Sequence, residues 1–462
     1  MTRAFRWMAA LLSVNALCCS NGGGTSPGSG AGGAGAGGSA GAGGTAGSVG
    51  SAGAGAGGSA GSAGSAGSDG DGGPSARPHP LYPALDLDTL PGEGGGAVGP
   101  YEPPTLPTTT RTVSITTTGN QARTDLLAAC QIPRTAVSVA ASAGRIGGLD
   151  FGNVTDCDVT LAPGVIADFV YVGHLPGPTV APAHRLRVRG GQIGSIVVDP
   201  GSTDIVFDGV TVNNAVLPPA QRSGTAIYLI NSGTTGFVNR FAFVNSIIRM
   251  VATLPSGGDS DGCAYLAGGA RNVFFANDNI VTAGNRNSWG FRIGGGSNFI
   301  IIDSTVRVSF HKLIRMNDGP VDYVFVKRGT WLREATLTGG GLALNDSFAQ
   351  LGDLGTDRVY IHDPAVYLLS TEPVAFGASS GPGQAGKSWE ARRIAWHARS
   401  SSVISDARLS GLAAACTSGA TCDYGIGTHT YDYDPGLGFP TNPWRSLPEI
   451  AEDNPDALSI AP

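Results

Sequence analysis

A short phrase recurs along the middle of this chain, and it limits the folds open to it. Val206-Phe207-Asp208-Gly209-Val210, Phe243-Val244-Asn245-Ser246-Ile247, Phe275-Ala276-Asn277-Asp278-Asn279-Ile280 and Ile301-Ile302-Asp303-Ser304-Thr305-Val306 all read apolar, apolar, Asp or Asn, turn residue, apolar. Weaker copies stand at Phe325-Val326-Lys327 and Tyr360-Ile361-His362. With the Asp or Asn as marker, the steps 208 to 245, 245 to 277 and 277 to 303 are 37, 32 and 26 residues. A unit that recurs with a minimum near 24 residues and insertions of varying length is the mark of a stacked solenoid. Each unit buries its apolar face only against its neighbours.

The units hold two or three short runs rich in Val, Ile and Phe, separated by Gly, Asn, Asp and Ser, and helical periodicity is nearly absent. The exception is Arg123 to Cys130, where Thr124-Asp125-Leu126-Leu127-Ala128-Ala129 predicts a short helix over the first unit. Without such a cover the stack would end in bare strand edge and core.

The stretch Gly290-Phe291-Arg292-Ile293-Gly294-Gly295-Gly296-Ser297-Asn298-Phe299-Ile300-Ile301-Ile302-Asp303-Ser304 resembles the right-handed parallel β-helix family, the fold of pectate lyases and many other polysaccharide-active proteins. The resemblance spans roughly Val137 to His397. It implies an all-β chain: a right-handed parallel β-helix solenoid with a short N-terminal capping helix and an irregular C-terminal cap. The chain departs from pectate lyases in lacking a Trp-Ile-Asp-His coil and an Arg-x-Pro-x-x-Arg segment. An antiparallel sandwich is the alternative; it predicts Asn-Gly hairpin turns, which do not recur here.

The sequence divides into five segments. Residues 1–19 carry Arg3 and Arg6 before an apolar run from Trp7 to Leu17, a secretory signal too short to span a bilayer. The run ends in Cys18-Cys19 and resembles a bacterial lipoprotein leader, which implies lipidation at Cys18 or Cys19, although the usual small residue before the cysteine is missing. Residues 20–73 are Gly, Ala and Ser with little apolar bulk, expected as a disordered tether with a span on the order of 40 Å. Residues 74–107 are proline-rich and expected as a stiffer spacer. Residues 108–400 form the expected β-helix domain, and 401–462 an irregular cap and tail. The chain is therefore expected outside the cytoplasm, secreted or held at the cell surface, touching membrane only through a lipid.

Disulfides survive in that setting. Cys416 and Cys422 enclose a small loop, Cys130 and Cys157 are a plausible pair near the N-terminal end, and Cys263 is then odd and expected to be buried. Net charge is −6, charged residues are 14% and there is no basic block, which argues against a nucleic-acid partner.

In each unit a second strand precedes the marker strand: Ala226-Ile227-Tyr228-Leu229, Cys263-Ala264-Tyr265-Leu266, Gly290-Phe291-Arg292-Ile293, Leu313-Ile314-Arg315-Met316 and Gly341-Leu342-Ala343-Leu344. If the alternate aliphatics point inward, one outward column is left: Tyr228, Tyr265, Arg292, Arg315 and Ala343, roughly 4.8 Å apart per step. Tyrosine rings stack on sugar rings, and a guanidinium pairs with a uronate carboxylate, so the column suits an acidic polysaccharide. Asn231, Asn317 and Asn345 lie just beyond it as hydroxyl partners, and His311 and Lys312 flank it. The plainer reading is a solvated face, with the arginines bridging to Asp318 or Asp346 and the asparagines stacking in turns.

β-Elimination on a uronate needs a cation at the carboxylate and a base for the neighbouring proton. Arg292 or Arg315 would supply the first, and Lys312, His311 or Tyr265 the second. Phe310-His311-Lys312-Leu313-Ile314-Arg315 is also similar to a His/Lys-bearing coil of pectate lyases. Asp259-Ser260-Asp261-Gly262 alternates oxygen donors as calcium loops do, but such a run alone reads first as a turn, so no cofactor is expected. The leading expectation is a monomeric, surface-tethered polysaccharide lyase. A non-catalytic glycan-binding or adhesive domain and a structural stalk are the alternatives.

Overall fold

The computed structural model describes residues 76–92, 100–175, 179–222, 224–230, 236–250, 263–267, 269–282, 289–294, 296–308, 312–316, 321–333, 347–351, 358–368, 374–378, 388–392, 395–398, 421–423 and 430–431. The chain is mainly β, and its dominant feature is a run of parallel strands in which each strand pairs with the one three further along. This produces three rows. The first holds Ile196–Val198, Thr225–Leu229, Cys263–Ala267, Trp289–Ile293, Lys312–Met316, Ser347–Leu351 and Val374–Ala378. The second holds Thr203–Asp208, Val238–Val244, Ala270–Ala276, Gly296–Ile302, Tyr323–Lys327, Arg358–His362 and Ser388–Arg392. The third holds Thr211–Asn213, Ile247–Met250, Asn279–Thr282, Thr305–Val308, Thr330–Arg333, Ala365–Leu368 and Ala395–Ala398. Such a pattern is compatible with a solenoid of three strands per turn.

Two-residue corners join the second row to the third, and they explain the recurring phrase. Asn245, Asn277, Asp303, Arg328 and Asp363 have φ between 50° and 62°, a left-handed conformation that Asn and Asp accept more readily than other side chains. The side chains also form a ladder: Asn277 Nδ2 donates to Asn245 Oδ1, and Asn245 Nδ2 to Asp208 Oδ1, each at 3.0 Å. The register corrects three of the markers by one residue. Asp208 pairs with Val244 and Lys327 with His362, as strand ends. The turn positions are Gly209, Arg328 and Asp363, all at positive φ.

The core is a continuous stack of inward side chains. Phe207, Phe241, Phe243, Phe275, Phe291 and Trp331 follow one another with ring centroids 5.0–6.2 Å apart. Each fully buried side chain of this size is worth roughly 1.5–3 kcal/mol. Helix α1, Gly119–Cys130, packs Ala122, Leu126 and Cys130 into the same core, beside the strand pair Arg111–Ile115 and Thr135–Val139. The Cys130–Cys157 disulfide ties α1 to the next strand, with Cα atoms 5.4 Å apart. Cys263 is a buried thiol outside any disulfide, its Sγ donating to the Tyr265 carbonyl at 3.0 Å. Cys416 lies outside the described residues, as do Cys18 and Cys19. Short strands at Thr421–Asp423 and Thr430–Tyr431 extend the second and third rows, so the described part of the tail continues the repeat.

The proline-rich segment departs most from expectation. Instead of a free spacer, residues 76–92 and 100–108 form an arm laid across the second row. Leu85, Leu87, Leu90 and Tyr101 pack on Val206, Ala242, Phe274, Ile300, Phe325 and Tyr360, which are in register with one another across six strands. Three backbone N–H groups pin its return limb: Glu102 donates to Asn272 at 3.1 Å, Thr105 to Asp204 at 2.8 Å and Thr108 to Asp156 at 3.4 Å. Successive anchors are three arm residues apart but two strands apart on the sheet. Three residues of extended, proline-rich chain rise about 9.3 Å. Two strand spacings come to about 9.6 Å. The near-equality lets every third N–H meet a side-chain acceptor.

Candidate functional site

The first row is bracketed by connections of unequal length. Residues 251–262, 283–288, 309–311, 334–346 and 369–373 lead into its strands, all outside the described residues. The corners between the second and third rows stay at two residues. Insertions are tolerated at loop corners, and binding groups collect there. One register line runs along the first row from the adjoining strand Thr155–Val172: Tyr171, Val197, Tyr228, Leu266, Arg292, Arg315, Gln350 and Gly377.

Three of the expected column residues take the outward position. Tyr228, Arg292 and Arg315 are half-buried between fully buried neighbours: Ile227 and Leu229, Phe291 and Ile293, Ile314 and Met316. Arg292 and Arg315 sit opposite each other on adjacent strands. Both guanidinium groups lie over Trp289, with Cζ 4.9 and 5.0 Å from its ring centroid. Trp289 is buried at the start of its strand, so the ring makes a fixed floor beneath two cations.

Tyr265 does not belong to the column. It pairs with Ile227 and Phe291, both inward, and its ring packs 5.0 Å from Phe275 and 5.9 Å from Phe291. Burial holds its phenol well above the usual tyrosine range, so it cannot act as a base at the surface. Leu266 holds the register position between Tyr228 and Arg292. The expectation assumed that Ala264 and Leu266 face inward because both are aliphatic. Position relative to the turn decides it instead: Leu266 stands as far ahead of Asn277 as Arg292 does of Asp303. The register position next to Arg315 belongs to Gln350 of Ser347–Leu351, and Ala343 lies outside the described residues. His311, Asn231, Asn317 and Asn345 lie outside the described residues, as does the side chain of Lys312. So does the loop Asp259–Gly262. Among the described residues no three His, Cys, Asp or Glu side chains gather as a metal site.

Two features escaped the sequence reading. The first is Tyr171 at the far end of the column, beside His174, whose Nδ1 lies 2.7 Å from Asp199 Oδ2. Burial pushes the Tyr171 phenol up to about 12 and also raises the Asp199 carboxyl. His174 Nε2 is shielded from solvent, so the pair fastens a corner rather than offering a base to the face. The second is an Asp/Arg ladder beside the second row. Arg185 grips Asp156 at 2.6 and 2.9 Å, and Arg240 grips Asp204 at 2.7 and 2.9 Å. The Arg185 hydrogen bonds hold the Asp156 carboxyl low. Burial alone would raise Asp204, but Arg240 and the Thr105 N–H outweigh it and hold that carboxyl low too. All four residues sit at positive φ, near the entrances of strands that pair in succession.

No family model matches the chain, and neither the curated proteins nor the solved structures give a match.

Proposed function

We propose that this is an exported protein whose strand rows form a right-handed parallel β-helix, closed at its first turn by α1, and that its first row recognises an acidic polysaccharide. The single observation that carries this reading is the Arg292–Arg315 pair over Trp289, on the row that the variable connections bracket. Two guanidinium groups one strand apart repel by roughly 3 kcal/mol at an effective dielectric near 20. A carboxylate bridging them offsets that repulsion through charge-assisted hydrogen bonds. Tyr228, two strands away on the same line, offers a ring to a neighbouring sugar. The leader and Cys18 or Cys19 would hold the domain at a membrane surface through the Gly/Ala/Ser tether.

The reaction this arrangement serves is β-elimination of a uronate glycan. Arg292 and Arg315 neutralise the carboxylate, and His311 or Lys312, at the entry of the Arg315 strand, takes the C5 proton; the C4–C5 double bond forms as the C4–O glycosidic bond breaks, and the departing oxygen takes a proton from the protonated base or from water. The test is incubation with a panel of uronate polymers, following ultraviolet absorbance of the unsaturated product alongside retention of the protein on immobilised polymer. Product formation supports a lyase. Retention without product supports a glycan-binding module, and neither outcome with any acidic polymer removes the reading.

A further inference from the structure

The arm carries an inference that does not depend on the glycan reading. At its centre His79 is fully buried, its ring stacked on Phe274 with centroids 3.9 Å apart. Its hydrogen bonds leave room for one protonation state. Nδ1 accepts the Leu81 backbone N–H at 3.2 Å, and Nε2 lies 3.0 Å from the Tyr101 hydroxyl. A proton on Nδ1 would replace that acceptor with a second N–H facing the Leu81 N–H. The imidazolium would also be sealed against an aromatic ring without water.

We propose that the arm is an acid-released clasp: it covers the apolar strip of the second row at neutral pH and is expelled when His79 takes a proton. No carboxylate stands against the imidazole to offset the charged form, and the Phe274 ring face offsets it only in part. From the arm itself come the neutral phenols Tyr101 and Tyr82. From the sheet come Phe274 and, in register beside it, Ala242 and Ile300. The charged groups on the surrounding elements are already engaged: on the arm Arg77 pairs with Asp88 and its N–H donates to Asp86, and on the sheet Asp303 pairs with Arg328 and accepts from the Tyr82 hydroxyl. Burial is the one influence on the ring, and it lowers the His79 pKa from 6.5 to about 3.

The sign follows from linkage. The released arm binds a proton near the ordinary imidazole value, while the docked arm resists it until far lower pH. Docking is at full strength above that ordinary value and weakens about tenfold for each pH unit below it, until the docked histidine itself titrates. Release bares Val206, Ala242, Phe274, Ile300, Phe325 and Tyr360 together, so a small pH change uncovers a continuous apolar strip.

The experiment is hydrogen exchange with mass-spectrometric readout on the full chain between pH 7.5 and 4.5, corrected for intrinsic exchange rates. In the wild type, protection of amides in 77–108 should fall by about a hundredfold over the two units below the ordinary imidazole value, while the core strands Ala270–Ala276 and Gly296–Ile302 keep theirs. His79→Phe, which keeps the stack on Phe274 without a titratable nitrogen, should hold its arm protection unchanged across the series. Tyr101→Phe should weaken docking at every pH yet keep the acid sensitivity. Arm protection that is the same at both ends of the wild-type series overturns the proposal, whatever the variants do. So does an equal decline in His79→Phe.

Discussion

Arg292 and Arg315 face each other on neighbouring parallel strands, and one indole, that of Trp289, underlies both guanidinium groups at 4.9 and 5.0 Å. The ring is buried and the cations are half-buried, so the pair is aimed from below rather than left to sweep through solvent.

Trp289→Leu should keep the strand, because leucine still fills apolar space, but remove the floor. Each cation–π contact is worth about 0.5–1 kcal/mol at a partly exposed site. Affinity for a uronate oligosaccharide should fall about tenfold by calorimetry, with the melting temperature lowered by the lost burial. Unchanged affinity would show that the indole does not position the arginines.

The arm-to-sheet register gives a sharper test. Thr105→Pro in the full chain keeps an extended backbone but removes the N–H that Asp204 accepts, while Glu102 still meets Asn272. A lost N–H to a carboxylate costs roughly 1.5–3 kcal/mol. Exchange protection of the arm should drop by one to two decades, whereas Thr105→Ala, which keeps the N–H, should leave it nearly unchanged. Equal loss in both variants would argue against this anchor.

Acid stability should bear the mark of the Asp/Arg ladder. Asp156 and Asp204 have carboxyl groups held below their usual range in the folded chain. Their contribution is present above the pKa of an unfolded carboxylate and is lost as pH falls through the lower folded value. Asp204→Asn should cost about 2 kcal/mol at neutral pH, less than a fully buried pair because Arg240 is partly exposed and retains Glu102. The gap to wild type should narrow on acidification, which denaturant unfolding at two pH values would check.

The Cys130–Cys157 bond closes a separation of 27 residues that begins at the last residue of α1. Chain-entropy arguments assign such a link roughly 3–4 kcal/mol. Reduction should therefore lower the melting temperature and expose α1 to proteolysis before the central strands. Coincident loss of both would show that α1 and the rows unfold as one unit.

The strand rows were legible because a turn that needs positive φ selects Asn, Asp or Gly, and Asn245, Asn277 and Asp303 advertise it. Arg292 and Arg315 were legible because each stands between bulky apolar neighbours. Tyr265 was misread because Cys263-Ala264-Tyr265-Leu266 is apolar on both faces, so alternation carries no sign; distance to Asn277 carried it instead. The arm was missed because prolines suggest a spacer, although the clue lay in its partner. Phe299-Ile300-Ile301-Ile302 is an unbroken apolar run, the pattern of a strand covered on both sides. Its inward residues meet the core, and Ile300 and Ile302 meet the arm's apolar cluster. Nothing local in the sequence named residues 76–92 and 100–108 as that cover, since contacts such as Arg358 to the Gly92 carbonyl span 266 positions.

The central claim, recognition of an acidic polysaccharide by the first row, is tested most directly by calorimetric titration of a uronate oligosaccharide and its carboxyl-reduced counterpart into wild type and the Arg292→Ala/Arg315→Ala double variant. The account predicts saturable, salt-sensitive binding of the acidic chain by wild type, weakened by roughly 3–6 kcal/mol in the double variant, with the reduced chain bound weakly and equally by both. Equal binding of the acidic chain by wild type and double variant would contradict it.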